Sequence, residues 1–139
     1  MNAETYLDRI KKLDTMIRNK LKEYNRWVEL AEGIGGASVG DRVQSTRNLH
    51  KGADAIGNYI DIETEIQALE DERQSIINTL EKLPFTEYDL LYKLYVNYYT
   101  MKEVAYHTGK SYDWVRMRKG QALRLLQSVL DARTSTERR

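Results

Sequence analysis

Residues 100–126 read TMKEVAYHTGKSYDWVRMRKGQALRLL, and this stretch decides the fold of the C-terminal part of the chain. It opens with a capping box, in which the Thr100 hydroxyl accepts from the Glu103 amide while the Glu103 carboxylate reaches back to the Thr100 amide. A short helix is therefore predicted from Met101, with Val104 and Ala105 on its buried side and Gly109 taking the left-handed turn that ends it. Ser111 caps a second helix on which Val115, Ala122, Leu123 and Leu126 recur at helical spacing and face inward. Two short-linked helices of this kind form a helix-turn-helix.

The outward face of the second helix carries Tyr112, Asp113, Arg116, Met117 and Gly120, with Lys119 at its edge. Polar and basic groups on the first turns of such a helix are placed to meet base edges in the major groove of duplex DNA. Arg116 is the candidate base reader, because a guanidinium bonds guanine through two donors. Lys110, Lys119 and Arg124 suit phosphates. Two positions break the apolar pattern: Lys110 follows the turn glycine and Arg118 stands one turn past Val115, where apolar side chains fit better. Snorkelling of both stems reconciles them with the inner face.

Charge is unevenly distributed. Residues 85–139 hold 10 Lys and Arg against 6 Asp and Glu, whereas residues 1–84 hold 12 against 15, so a formal net charge of +1 conceals a basic C-terminal part. That part is oriented toward a polyanion.

The run from Phe85 to Gln127 resembles the fourth region of bacterial sigma factors. The likeness rests on a leading helix at 87–97, the EVA step at Glu103 to Ala105, the T-G-K-S turn and the closing AL-x-x-L at Ala122 to Leu126. The whole chain resembles the small phage and prophage proteins akin to ArpU-type late transcription regulators. The phrase DRVQST at Asp41 to Thr46 adds to that likeness. The resemblance implies promoter or operator binding. Carried over by position, it implies that Tyr112, Asp113, Arg116 and Met117 face bases, with Ser111 and Lys102 near the backbone.

The remaining sequence predicts helices. Apolar residues in the N-terminal segment fall at Ile10, Leu13, Ile17, Leu21, Tyr24, Val28 and Ala31, widened by Trp27 and Leu30, a single stripe over 3–32. A second helix over 54–83 carries a near-heptad seam of Tyr59, Ile62, Ile66, Leu69, Arg73, Ile76, Leu80 and Leu83. Each would be about 45 Å long and needs a partner for its stripe. An antiparallel, coiled-coil-like hairpin satisfies both; the alternative joins two protomers through Ile62, Ile66, Leu69, Arg73, Ile76 and Leu80.

Between them lies a glycine-rich linker, residues 33–53, with Gly33, Gly35, Gly36, Gly40 and Gly52 and the basic residues Arg42, Arg47, His50 and Lys51. Its spacing fails as a phosphate loop, since neither a Gly-Lys-Ser/Thr step nor a buried strand accompanies it. Pro84 ends the second helix, and Thr86 is placed to cap the next, whose Tyr88, Leu91, Tyr92, Leu94 and Tyr95 support the helix-turn-helix from behind.

The fold class expected is all-α: a helical hairpin over 1–84 for oligomerisation or partner binding, a sigma-like helix-turn-helix over 85–132, and a frayed tail over 133–139. The chain contains no cysteine, which excludes disulfides and thiolate metal sites and fits a cytoplasmic setting. No apolar run reaches membrane-spanning length. His50 and His107 fall in different segments, and the consecutive Glu70, Asp71 and Glu72 point around a helix, so neither a catalytic nor a metal-binding constellation is expected, and no cofactor.

The function expected is sequence-specific binding of double-stranded DNA by a phage or prophage transcription regulator, with RNA polymerase as a further candidate partner. Two alternatives stand beside it. One is packaging-site recognition, as in a small terminase subunit. The other is a sigma mimic that occupies RNA polymerase or another host protein without touching DNA.

Overall fold

The computed structural model describes residues 2–35 and 45–137, with side chains described except at 32–35, 45–56, 59 and 135–137. The chain is all-α. Its elements are α1 (Ala3–Gly35), α2 (Ser45–Leu80), α3 (Phe85–Leu91), a π-helical turn (Tyr92–Val96), α4 (Met101–Thr108) and α5 (Tyr112–Glu137), with no strand among the described residues. No helix among them is long and apolar enough to cross a membrane.

Two compact units divide the chain. One comprises Met1–Leu13 together with Glu72–Arg139, and the other Asp14–Asp71. The divisions fall at 13/14 and 71/72, not at Pro84, because the first turns of α1 and the last of α2 share a core with the C-terminal helices. Leu7, Ile10 and Leu13 of α1, Ile76 and Leu80 of α2, Leu91 of α3 and Leu126 and Leu130 of α5 are all buried in this unit. The Ala3 amide donates to Gln127 Oε1 at 2.8 Å, fastening α1 to α5. Tyr6 OH donates to Thr79 Oγ1 at 2.9 Å, and Arg9 bonds Glu72 through Nε and Nη2 at 2.6 and 3.3 Å.

In the other unit Ile17 and Ile62 are buried, and Lys20 pairs with Glu65. Tyr24, Trp27, Val28 and Ala31 of the α1 stripe are partly buried, whereas Leu21 and Leu30 are exposed. Along the α2 seam, Ile62, Ile76 and Leu80 are buried within the single chain, and Ile66, Leu69 and Arg73 are partly buried. The buried three are already occupied by intrachain packing.

Helix α1 runs on to Gly35, so Gly33 and Gly35 are helical and not linker, and α2 ends at Leu80, short of Leu83; element boundaries differ from the sequence expectation in four further places. Helix α2 starts at Ser45, so Gly52 and the backbone of Arg47, His50 and Lys51 are helical, not linker. A lone glycine costs a helix only about 1 kcal/mol, and the helix formers Leu49, Lys51, Ala53 and Ala55 flank it. Gly36, Gly40, Arg42 and the first residues of the DRVQST phrase lie outside the described residues. Helix α3 starts at Phe85 with Pro84 at its N-cap and no side-chain cap, so Thr86 lies inside the first turn instead of capping it. The fixed φ of proline, here −55°, seeds the start, and the Tyr88 amide donates to the Pro84 carbonyl at 2.9 Å.

Third, the predicted single helix over 87–97 gives way at Tyr92 to the π-helical turn, where the Asn97 amide bonds the Tyr92 carbonyl five residues back. The turn closes with Tyr98 in the left-handed region at φ 61°, a conformation costly to a residue bearing a Cβ. Fourth, α5 continues to Glu137, five residues beyond the expected end of ordered structure, with the Thr134 hydroxyl donating to the Leu130 carbonyl at 3.0 Å.

Candidate nucleic-acid interface

Helices α4 and α5 meet through a turn whose chemistry is fixed residue by residue. The capping box at the start of α4 is complete: the Glu103 amide donates to Thr100 Oγ1 at 3.1 Å, and the Thr100 amide donates to Glu103 Oε1 at 3.3 Å. At the other end, Gly109 takes φ 69°. The Gly109 amide reaches the Tyr106 carbonyl, and the Lys110 amide reaches the Ala105 carbonyl at 3.1 Å. This is a Schellman closure, which uses the last carbonyls of α4 and turns the chain sharply. Ser111 then caps α5, its Oγ accepting from the Trp114 amide at 3.0 Å.

The turn sets α5 across a small core of Leu90, Val104 and Val115, with Leu94, Tyr99, Met101, Ala105 and Trp114 packed around it. The helical periodicity of α4 and α5 does not single out Leu90, Tyr99, Met101 or Trp114. Ala122, Leu126 and Leu130 continue the buried stripe, while Leu123 is only partly buried. Burial of Val115 fixes the rotation of α5 and thereby which residues face out.

Tyr112, Asp113, Arg116 and Met117 all lie on the exposed face at the N-terminal end of α5. The Asp113 and Arg116 side chains retain 85 and 70 % of their accessibility and approach only to 3.8 Å, one turn apart. Such an exposed, long pair holds its partners weakly, so Arg116 can exchange Asp113 for another acceptor with little loss. Lys102 and Ser111 are exposed beside this face, Lys102 in the first turn of α4. Gly120 sits inside α5, and a Cβ placed there meets no atom within 4 Å. Packing within the chain does not require a glycine at that position.

The basic residues divide into two groups. Arg116, Lys102 and Arg124 project from the surface. Lys110, Arg118 and Lys119 instead rest on rings, with Lys110 Nζ 5.4 Å and the Arg118 guanidinium carbon 5.6 Å from the centre of Trp114, and Lys119 Nζ 5.8 Å from that of Tyr95. Trp114 and Arg118 stand one helical turn apart in α5, a spacing that marks their pairing in the sequence, and Lys110 reaches the same ring from the turn before the helix.

Arg118 also reaches across to α3. Its Nη1 lies 3.5 Å from Oε1 of Glu87 and donates to Gln121 Oε1 at 3.1 Å. Glu87 is buried, with 11 % of its side chain accessible. An arginine on the inner face of α5 is thus matched by a carboxylate on the helix behind it.

Tyr95 is partly buried beside α5. Its hydroxyl is buried with no hydrogen-bond partner among the described residues. Burial, reinforced by the negative charges of Glu4 and Asp8, pushes its pKa up to about 12. Tyrosines elsewhere in the segment are mixed: Tyr88, Tyr92 and Tyr99 are partly buried, while Tyr98, Tyr106 and Tyr112 are exposed. His107 is exposed and stacks on Tyr99 with ring centres 5.3 Å apart.

Comparison with protein-family models, with curated proteins and with solved structures returned no match.

Proposed function

We infer that this chain is a sequence-specific double-stranded DNA-binding regulator of the phage late-transcription type, reading the major groove with the first turns of α5. The observation that carries the reading is the orientation of that helix. Val115 is fully buried, and the capped N-terminus therefore presents Tyr112, Asp113, Arg116 and Met117 together on one exposed face. A recognition helix needs this arrangement: a rigid apolar back, a fixed rotation and polar groups at the end that enters the groove. The basic balance of residues 85–139 supplies the sequence-independent attraction to phosphates.

Each residue has a role in this reading. Arg116 donates to a base edge once released from Asp113; Lys102, Lys110 and Ser111 meet the backbone; Gly120 leaves room for close approach. The test is selection of bound sequences from a random duplex pool, followed by anisotropy titration of the selected duplex and of a scrambled one. Arg116→Ala is expected to weaken the selected duplex by about 1–3 kcal/mol and to change the scrambled one far less. Equal losses on both duplexes, or failure to enrich any sequence, would exclude base reading by Arg116. Binding to RNA polymerase without affinity for any duplex would exclude the DNA reading altogether.

A further inference from the structure

Of the four side chains presented at the start of α5, Met117 alone carries no strong hydrogen-bonding group. It keeps 56 % of its accessibility in the second turn of the helix, whose rotation the fully buried Val115 fixes. The positions one turn away on the same side are Asp113, with an exposed side chain, and Gly120, where a Cβ would meet no atom within 4 Å. We propose that Met117 selects a thymine, through apolar contact with its C5-methyl group, within two base pairs of the guanine bonded by Arg116. This selection rests on the reading of α5 as a recognition helix, and it specifies part of the DNA sequence that the helix reads.

The chemistry of the groove narrows the choice. Base edges in the major groove offer hydrogen-bond donors, acceptors and a single apolar group, the thymine methyl. A thioether donates no hydrogen bond and accepts only weakly, so Met117 cannot replace the water that it displaces from guanine, adenine or the cytosine amino group. Against a methyl it gains apolar burial and dispersion contact instead. Its three rotatable bonds let the thioether follow the groove.

Position narrows the choice further. Arg116 and Met117 are consecutive, with Cα atoms about 3.8 Å apart. Base pairs rise by about 3.4 Å, so contacts from the two side chains fall on the same or nearby steps. The open space at Gly120 lets the duplex close on this level of the helix, which brings the thioether out of water and into the groove.

The experiment uses the full chain and the duplex enriched by selection. Each thymine of the enriched site is replaced in turn by deoxyuridine, which keeps every hydrogen-bonding group and loses only the methyl. The guanine read by Arg116 is located in parallel with 7-deazaguanine, which lacks the N7 acceptor, as the position whose penalty disappears in Arg116→Ala. One deoxyuridine within two base pairs of that guanine is expected to weaken binding about three- to fivefold, the effect of burying one methyl. The same replacement should leave Met117→Ala binding unchanged, whereas Met117→Leu, which retains an apolar side chain, should still distinguish thymine from uracil. Both variants place good helix formers at an exposed helical position, and circular dichroism checks that they fold. Tolerance of deoxyuridine throughout the site, an equal penalty in wild type and Met117→Ala, or a sensitive thymine farther than two base pairs from the guanine would overturn the methyl contact. A preserved Arg116 effect in those cases leaves the reading of duplex DNA standing, whereas failure to enrich any duplex overturns both.

Discussion

Removing Arg118 is expected to destabilise the unit that holds the C-terminal helices far more than its partial exposure implies, because Glu87 depends on it. At the observed 3.5 Å separation, the gross Coulomb attraction is about 5 kcal/mol at an effective dielectric near 20 and about 1 kcal/mol in bulk water. The Glu87 side chain is 11 % accessible and that of Arg118 is 36 %, so the pair lies between those limits and desolvation of the carboxylate offsets much of the gain. A net coupling of about 1–2 kcal/mol follows. Arg118→Met keeps the apolar stem but takes the guanidinium off Trp114 and strands the buried carboxylate, for a total loss of about 2–3 kcal/mol.

Glu87→Gln alone should cost about 1 kcal/mol, because a neutral amide tolerates burial better than an unpaired charge. The double variant should be less destabilised than the sum of the two. The assay is urea unfolding followed by Trp114 fluorescence in a Trp27→Phe background, which makes the signal report this unit alone. With a slope of about 1–3 kcal/mol per molar, the Arg118→Met midpoint should fall by about 1–2 M. A double-mutant coupling below about 0.5 kcal/mol, within the error of independent sites, would refute the assigned dependence of Glu87 on Arg118.

Glycines at 109 and 120 should respond in opposite ways to alanine. Gly109→Ala forces a Cβ into the left-handed region at φ 69° and should cost about 1–2 kcal/mol, read by the same urea transition. Gly120→Ala adds its Cβ to open space inside a helix and should stabilise by up to about 1 kcal/mol, and a loss of duplex affinity in this more stable variant would locate the close approach of DNA. Tyr95 should retain its proton to about pH 12, visible as a late step in the 295 nm absorbance titration that Tyr95→Phe removes. Since its folded pKa is raised above the ordinary value of 10.0, the stability it contributes is complete below pH 10 and is lost as pH rises toward 12. A flat wild-type stability across that window, or one matched by the phenylalanine variant, would contradict its burial.

Local chemistry was legible where a residue acts on its own neighbours along the chain. Thr100 and Glu103 spell out a reciprocal cap, Gly109 a left-handed closure and Ser111 a second cap, each completed within three or four residues. Periodicity gave the inward Val115 and, by subtraction, the outward face from Tyr112 to Met117. The π-helical turn at Tyr92–Val96 carries no such local signal. Its five-residue hydrogen bond changes the register of the residues that follow it, and Leu90 before the turn and Leu94 within it both pack in the core beneath α5.

The amino-acid sequence by itself determined the helical content, the turn between α4 and α5 and the exposed face of α5, because hydrogen bonds and apolar periodicity over a few residues suffice for each. Tertiary structure alone decided three things. It brought the first turns of α1 and the last of α2 into the core of the C-terminal helices, dividing the chain at 13/14 and 71/72. It turned Arg118 from a misplaced charge on an apolar face into the partner of Glu87, thirty-one positions away in the sequence. It gathered Arg9, Lys12 and Arg133 around one cleft. Each of these depends on groups distant along the chain, whose burial and charge acquire meaning only when packing supplies the partner.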